Sequence, residues 1–578
     1  MNKYKYLFKN IGLLTLSSFA TKLLSFFLVP LYTNILTTTE YGTYDLFNTT
    51  VGVLLPILTL NVQDAVMRFA MDSKSNRKAI ISVAMKILLV ANTVVAVGLI
   101  VNAAFGISSL VKDYSIFFFL MFFMQSLSGV VTYYIRGIDK IADLSVSSVL
   151  VSAFTIGCNI VFLAVFHWGL TGYFLANIIG PLVQSLYLIA RSRLIHDTDL
   201  RADFSEEKRA MLDYCKPMIA NSVAWWVNNT SDRYVVIFFC GLAENGIYSV
   251  ASKIPSILNI FQSIFSQAWT LSAVKDFDPE DKNGFFANTY RAYNCLMVLL
   301  CSAIIVADKI LAHFLYAKDF FVAWKYVPWL TIAIVFGSLS GYIGGFFSAV
   351  KNSKIFAQST VVGAVSNIVL NLVMTPFMGA LGAAIATAVC YFVVWVIRYW
   401  NSKKFIKLKI NLKRDLITYV LLAAQSIVLL LEDGIVLYGV EIGMFLVIVI
   451  LYAGDLMSIA KKGKQAVQSR IIGCHGRREI VAVRQRERCL TGGHGIRNIF
   501  FDFVDEQVCT RCFCNQGVAI VGLFDVSVYG FGDIFRQKTR QCRNSIRQKV
   551  AVVGHGRLQI KRSSGKQGAW PCKGVLLL

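Results

Sequence analysis

Residues 228–233 read NNTSDR, six polar side chains in a row between WWV and YVVIFF. Two amides, a carboxylate and a guanidinium in that order could bind an ion, a sugar or a phosphate. On one helix Asn228 and Asp232 share a face at i,i+4, and so do Asn229 and Arg233. Other ionisable residues interrupt apolar runs in the same way: Lys22, Asp64 with Arg68 four residues on, Lys253, and the shallower Lys86. Charged residues inside a span cost about 2.5–3.5 kcal/mol at the helix centre on insertion scales, so they face a wet cavity or a partner. Basic side chains in a low-dielectric cavity suit a multiply charged anion such as a pyrophosphate, because Coulomb attraction grows as the effective dielectric falls. Trp225, Trp226, Asn228, Asn229 and Gln267 offer the aromatic and amide surface that suits sugars. Asp64 and Asp232 are the acids placed to take a coupling ion. Each group also has a plainer reading. Asp232 and Arg233 would pair with neighbouring helices, Asp64 and Arg68 would form a structural ion pair, and Lys22 would snorkel to the interface.

The elements that carry these residues are membrane helices. Hydrophobic residues make up 56% of the chain and charged residues 16%, well below the roughly 25% of a soluble domain. Apolar runs of about 20 residues without alternation, such as 416–431 and 435–454, exclude a β-barrel and predict helical spans. Fourteen helices are expected, at 11–36, 43–68, 79–105, 113–135, 143–166, 170–191, 215–240, 246–272, 287–314, 327–350, 355–377, 380–400, 415–432 and 436–458. The basic MNKYKYLFKN start runs into a long apolar stretch without a small-residue cleavage site, and reads as a retained first helix. With the N-terminus inside, alternate loops are basic, and only the loop near Lys309 and Lys318 departs from the pattern. An even number of spans with both ends cytoplasmic follows.

Short motifs recur at a nearly constant offset. EYGTY at 40–44 is echoed by ENGIY at 244–248. Lys140, Ile141 and Ser145 are echoed by Lys354, Ile355 and Ser359. Gly169 and Gly172 are echoed by Gly379 and Gly382. Offsets of 204 to 214 in the same order predict a tandem duplication. Six helices per unit would give parallel repeats. The expected organisation is one six-helix lobe over 1–204, a second over 205–410, two added helices over 411–464, and a tail from 465. Both E-x-G-x-Y motifs are expected at outer turns, where Gly42 permits a tight turn and Glu40 favours the next helix's N-terminus.

The stretch VPLYTNILTTTEYGTYDL resembles the start of bacterial polysaccharide flippases of the O-antigen and capsule type, within the multidrug, oligosaccharidyl-lipid and polysaccharide flippase superfamily. GLAENGIYSVASKIP and FMGALGAAIATAV fit the same family. The likeness covers roughly residues 5–460. It implies an all-α polytopic fold with two six-helix lobes in a V around a central cavity, two further helices appended. It also implies movement of an undecaprenyl-pyrophosphate-linked oligosaccharide across the bacterial inner membrane by alternating access, toward O-antigen, lipopolysaccharide or capsule assembly. Implied partners are that lipid-linked oligosaccharide, membrane lipid, a polysaccharide polymerase and a chain-length regulator.

Residues 1–460 carry no phosphate-binding G-x-x-x-x-G-K-[ST] loop, and their histidines lack metal spacing, so no enzyme, cofactor or metal is expected there. A cation-driven drug exporter of the same superfamily would favour acids over the bases Lys22, Arg68, Arg233 and Lys253. A membrane polysaccharide polymerase would carry a large outer loop with arginines, and the outer loops here are short. From 465 the chain changes character. Seven of the 13 cysteines lie there, including CTRCFC at 509–514. Residues 461–578 also hold 22 Lys and Arg against seven Asp and Glu. A second C-x-x-C is missing, so zinc is weakly indicated, and nucleic-acid binding is not expected. This tail reads as a non-homologous, disordered or out-of-frame extension.

Overall fold

The computed structural model describes residues 26–458 except 73–75, 193, 276, 351 and 433. The expectations placed on Lys22 and on residues 465–578 lie outside the described residues. Among the described residues every regular element is helical. The first half holds α1 (Val29–Ile35), α2 (Thr38–Leu58), α3 (Val62–Ala70), α4 (Arg77–Phe105), α5 (Ser115–Gly137), α6 (Ile141–Asn159) and α7 (Gly169–Ser192). The second holds α8 (Ser205–Thr230), α9 (Asp232–Cys240), α10 (Leu242–Ala251), α11 (Ser256–Lys275), α12 (Phe285–Leu315), α13 (Val327–Ala349), α14 (Ser353–Met378) and α15 (Ala380–Ser402). Then come α16 (Leu412–Leu431) and α17 (Gly434–Leu451).

Ten described helices are long and apolar enough to cross a membrane, and an eleventh span results if α2 and α3, bent by 58°, count as one. The all-α polytopic fold is borne out, and the count of fourteen is not confirmed among the described residues. Three expected spans do not behave as single apolar rods. The helix expected at 43–68 breaks between α2 and α3, where Pro56 lacks an amide N–H and Leu60 and Asn61 both take the left-handed conformation. The helix expected at 215–240 is interrupted at Ser231, whose hydroxyl donates to the Val227 carbonyl at 2.6 Å and competes with the helix ladder. The helix expected at 246–272 is interrupted between Ala251 and Ser256, and the gap contains Pro255.

The two halves use similar packing. α7 packs on α5 and α6, as α15 packs on α13 and α14. Gly169 and Gly379 both take positive φ, +52° and +60°, and open α7 and α15. Their partners Gly172 and Gly382 lie inside those helices. There a Cβ would meet Phe162 Cβ at 2.9 Å and the Met374 carbonyl oxygen at 2.5 Å respectively. So one glycine of each expected pair makes the turn and the other permits close packing. α16 and α17 pack on α12, where Gln425 accepts a hydrogen bond from Ser302 at 2.8 Å.

The two lysines that broke the loop-charge pattern are bound rather than free in a loop. Lys309 lies within α12, donates to the Glu432 carbonyl at 3.1 Å and sits over the Trp324 ring. Lys318 donates to the Asn34 carbonyl at 2.6 Å. Each ammonium satisfies a carbonyl at a helix C-terminal end, which explains cations on a side otherwise poor in them.

Candidate functional site

The site begins where α2 and α10 cross. Thr37 caps α2: its hydroxyl accepts from the Glu40 N–H at 3.2 Å, and the Glu40 carboxylate accepts from the Thr37 N–H at 2.8 Å. This reciprocal pair satisfies two otherwise unpaired donors and starts the helix. Glu40 therefore helps the helix N-terminus as expected. Gly42 does not make a turn, which corrects the expectation. It lies one turn inside α2, and Gly246 lies inside α10. A Cβ on Gly42 would stand 1.9 Å from the Leu242 carbonyl oxygen, and one on Gly246 would stand 2.0 Å from that of Thr38. The two contacts are the same contact shifted by the repeat offset, so the two motif copies meet each other. The glycines are there because two backbones touch.

One turn further in, the crossing becomes polar. Asp45 is 5% exposed. Its Oδ1 accepts from Arg233 Nη1 at 2.6 Å and from Ser249 Oγ at 2.7 Å, and its Oδ2 accepts from Asn245 Nδ2 at 3.1 Å. Arg233 Nη1 also reaches Thr49 Oγ1 at 3.5 Å. The ion pair thus joins α2 to α9, and α10 completes it. Asp45 was missed at the sequence level although it stands in EYGTYDLF. One signal was available: at the repeat offset Asp45 aligns with Ser249, the residue it now binds, so the motif copies diverge at the contact.

Asp232 faces the other way, into the second half. Its Oδ2 accepts from Tyr248 Oη at 2.6 Å and from Thr387 Oγ1 at 3.5 Å, while its Oδ1 accepts from the Arg233 N–H at 3.0 Å. Thr387 in turn accepts from Asn367 Nδ2 at 3.4 Å, and Asn371 Nδ2 donates to Asn367 Oδ1 at 3.1 Å. Asn371 Oδ1 and Thr375 Oγ1 are buried without a partner. The result is a buried group of side-chain oxygens around one carboxylate, the donor type that hard cations prefer. Asn367, Asn371 and Thr387 carry no local sequence signal, because polar residues of this size are common in membrane helices, whereas Tyr248 is the tyrosine of the ENGIY motif. Among the described residues no group of three His, Cys, Asp or Glu stands ready for a metal.

The other expected residues separate. Asn228 is buried and donates to the carbonyls of Ala224 at 3.0 Å and Thr360 at 3.3 Å, tying α8 to α14. Asn229 is exposed and accepts from Tyr391 Oη at 2.6 Å. Trp225 is 41% exposed, whereas Trp226 donates to the Thr49 carbonyl at 3.2 Å. Asp64 and Arg68 share α3 but form no ion pair, which corrects that reading: Asp64 accepts from Asn61 and Arg68 is exposed. Lys253 sits in the interruption between α10 and α11, half-buried, with no side-chain partner among the described residues. The structure thus gathers Asp232 and Arg233 with Asp45, and leaves Asp64, Arg68 and Lys253 apart from them.

Residues 7–270 match the family described as polysaccharide biosynthesis protein. Over 217 residues the chain is 21% identical to the probable low-salt glycan biosynthesis flippase Agl15 of Haloferax volcanii, covering 37% of this chain and 46% of that relative. The chain therefore spans just under half the length of that curated relative. Among solved structures it is similar to lipid II flippase MurJ in an inward closed conformation, with TM-score 0.57, 15% identity, 76% of this chain and 99% of that one. It is also similar to an inward-facing multidrug resistance MATE family transporter of the MOP superfamily, with TM-score 0.57, 12% identity, 66% of this chain and 94% of that one. At these identities the structural likeness speaks for the fold. The family match agrees with the resemblance read from the motifs over residues 7–270.

Proposed function

We propose that this chain is a flippase of the polysaccharide type within the multidrug, oligosaccharidyl-lipid and polysaccharide superfamily, and that it moves an undecaprenyl-pyrophosphate-linked oligosaccharide from the cytoplasmic to the outer leaflet of a bacterial inner membrane. The reading takes both chain ends as cytoplasmic and the substrate as an O-antigen or capsule repeat unit. A polysaccharide polymerase and a chain-length regulator would act after it.

The observation that carries this reading is Lys253. It is a half-buried cation on an interrupted helix with no side-chain partner among the described residues. Irregular backbone at membrane depth occurs where it lines protein or a water-filled cavity. An ammonium left open there suits a pyrophosphate. Arg233 supports it, since its side chain is 19% exposed while one guanidinium nitrogen holds Asp45. Lys22 and Arg68 are proposed as further basic contacts, and Trp225, Asn228 and Asn229 as sugar contacts.

Transport by alternating access then has a closure and a coupling site. The α2–α10 crossing with Asp45 and Arg233 is the outer closure. It must part for release, and the relatives at fold level include inward closed and inward-facing states. Asp232, with Thr387, Asn367 and Asn371, is proposed to take the coupling ion, and Asp64 is a further candidate. Taking up a cation there would compete for the carboxylate oxygen that Tyr248 binds, and Tyr248 lies on the closing helix α10. Replacing Lys253 by alanine should lower surface polysaccharide with the protein still in the membrane, and arginine at 253 should restore it. Wild-type polysaccharide from the alanine variant would overturn the role of Lys253.

A further inference from the structure

Asp308 stands apart from everything above. It lies on α12, seven residues before the helix ends at Leu315, so about 10 Å inside that end. Its side chain is 0% exposed, and neither carboxylate oxygen has a hydrogen-bond partner. Lys309 is next in sequence but is directed to the Glu432 carbonyl and the Trp324 ring. The nearby hydroxyl is that of Tyr316, which lies within electrostatic range of Asp308. That hydroxyl donates to the Val250 carbonyl at 3.2 Å, near the last residue of α10. Immediately beyond, the helix is interrupted up to Ser256.

Two features therefore meet: a fully buried carboxyl without a partner, and an interrupted membrane helix. Such interruptions mark ion and substrate sites in transporters. An ionised carboxylate in this place would be uncompensated, a state proteins avoid by neutralising the group. A hard metal cation would need about six oxygens, and among the described residues no group of three His, Cys, Asp or Glu could hold one. The ligand chemistry left is a proton. Other charged or titratable groups on the segments around this end of α12 are His313 on α12, Lys318, Asp319, Lys325 and Tyr326 beyond it, Glu432, Tyr438 and Glu441 on the appended hairpin, Tyr32 on α1, and Glu244, Tyr248 and Lys253 on or after α10. None of them hydrogen-bonds to Asp308.

We propose that Asp308 is a proton-binding site, distinct from Asp232, and that the bound proton holds α12 against α10 while α10 is closed on α2. The step is simple: carboxylate plus proton gives a neutral carboxyl, which the apolar surroundings tolerate. When the proton leaves, the carboxylate must reach water or a cation, so this end of α12 shifts. The Tyr316 bond to Val250 carries the shift to α10 and loosens its contact with α2. Tyr316 is here a positioning residue.

Infrared spectroscopy of the full chain in lipid tests the site directly. The protonated-carboxyl band should contain one component that Asp308→Asn removes and Glu441→Gln does not. A band unchanged by Asp308→Asn would overturn the proposal. A second readout tests the coupling. In a chain carrying Thr38→Cys and Leu242→Cys, cross-linking across the closure should fall as pH rises. Adding Asp308→Asn should flatten that response, whereas adding Tyr316→Phe should flatten it and keep the band. A response that survives both substitutions would overturn the coupling. Neither readout uses an oligosaccharide, so a negative result leaves the transport reading standing.

Discussion

Arg233 Nη1 lies 2.6 Å from Asp45 Oδ1, in a pair whose side chains are 19% and 7% exposed. The two residues are 188 positions apart and sit on α9 and α2. Removing one partner from such a pair leaves a charge in a low-dielectric interior, which costs about 3–5 kcal/mol. Asp45→Ala should therefore lower the unfolding temperature of the purified protein and reduce transport. The double variant Asp45→Leu with Arg233→Leu should recover most of the lost stability and none of the transport. Additive losses in the double variant would show that the pair does not act as a unit.

The glycine crossing makes a separate prediction about state. A methyl group at Gly246 has no side chain to push aside, because the atom it meets is the Thr38 carbonyl oxygen at 2.0 Å. Overpacking of this kind costs about 1–3 kcal/mol, and here it falls on the closed arrangement alone. Gly246→Ala should hold the closure open. Labelling of a cysteine placed at Asn245 by a membrane-impermeant thiol reagent should rise, and transport should fall. Unchanged labelling would mean that the crossing is not the moving contact.

Asp232→Asn keeps a side chain able to accept from Tyr248 and removes the charge. The protein should fold and reach the membrane at wild-type levels. Transport should fall about tenfold or more, the size of losing about 1.4 kcal/mol of favourable interaction. With Asp308→Asn also in place, the residual rate should be insensitive to imposed sodium or proton gradients. A rate that still follows either gradient would place the coupling ion elsewhere.

Much of the architecture was legible in the sequence, for physical reasons that also mark its limits. Long apolar runs fix spans because the bilayer demands about 20 residues. The loop glycines 169 and 379 announce turns because positive φ favours glycine. EYGTY and ENGIY were read as turns because glycine means both a turn and a close approach, and only the partner helix tells them apart. Helix ends were set too late at 43 because Thr37 and Glu40, polar residues, turned out to be the cap and first turn of α2. NNTSDR is singled out by its polarity, yet two of its partners, Asp45 and Thr387, lie 188 and 155 positions away in sequence. The Asp64–Arg68 spacing suggests a pair, but Asp64 accepts from Asn61 and Arg68 is exposed.

The central claim is that a lipid-linked, pyrophosphate-bearing oligosaccharide crosses the membrane through this chain and meets Lys253 on the way. The most direct measurement is translocation of a fluorescent undecaprenyl-pyrophosphate-linked oligosaccharide in liposomes holding the purified full chain, scored by exposure of the label to an impermeant quencher. Wild type should move the lipid far faster than empty liposomes. Lys253→Ala should slow it about tenfold, and Lys253→Arg should restore it, as expected for a contact made by charge. No movement above the empty-liposome rate with well-folded wild type, or equal movement by wild type and Lys253→Ala, would contradict the account.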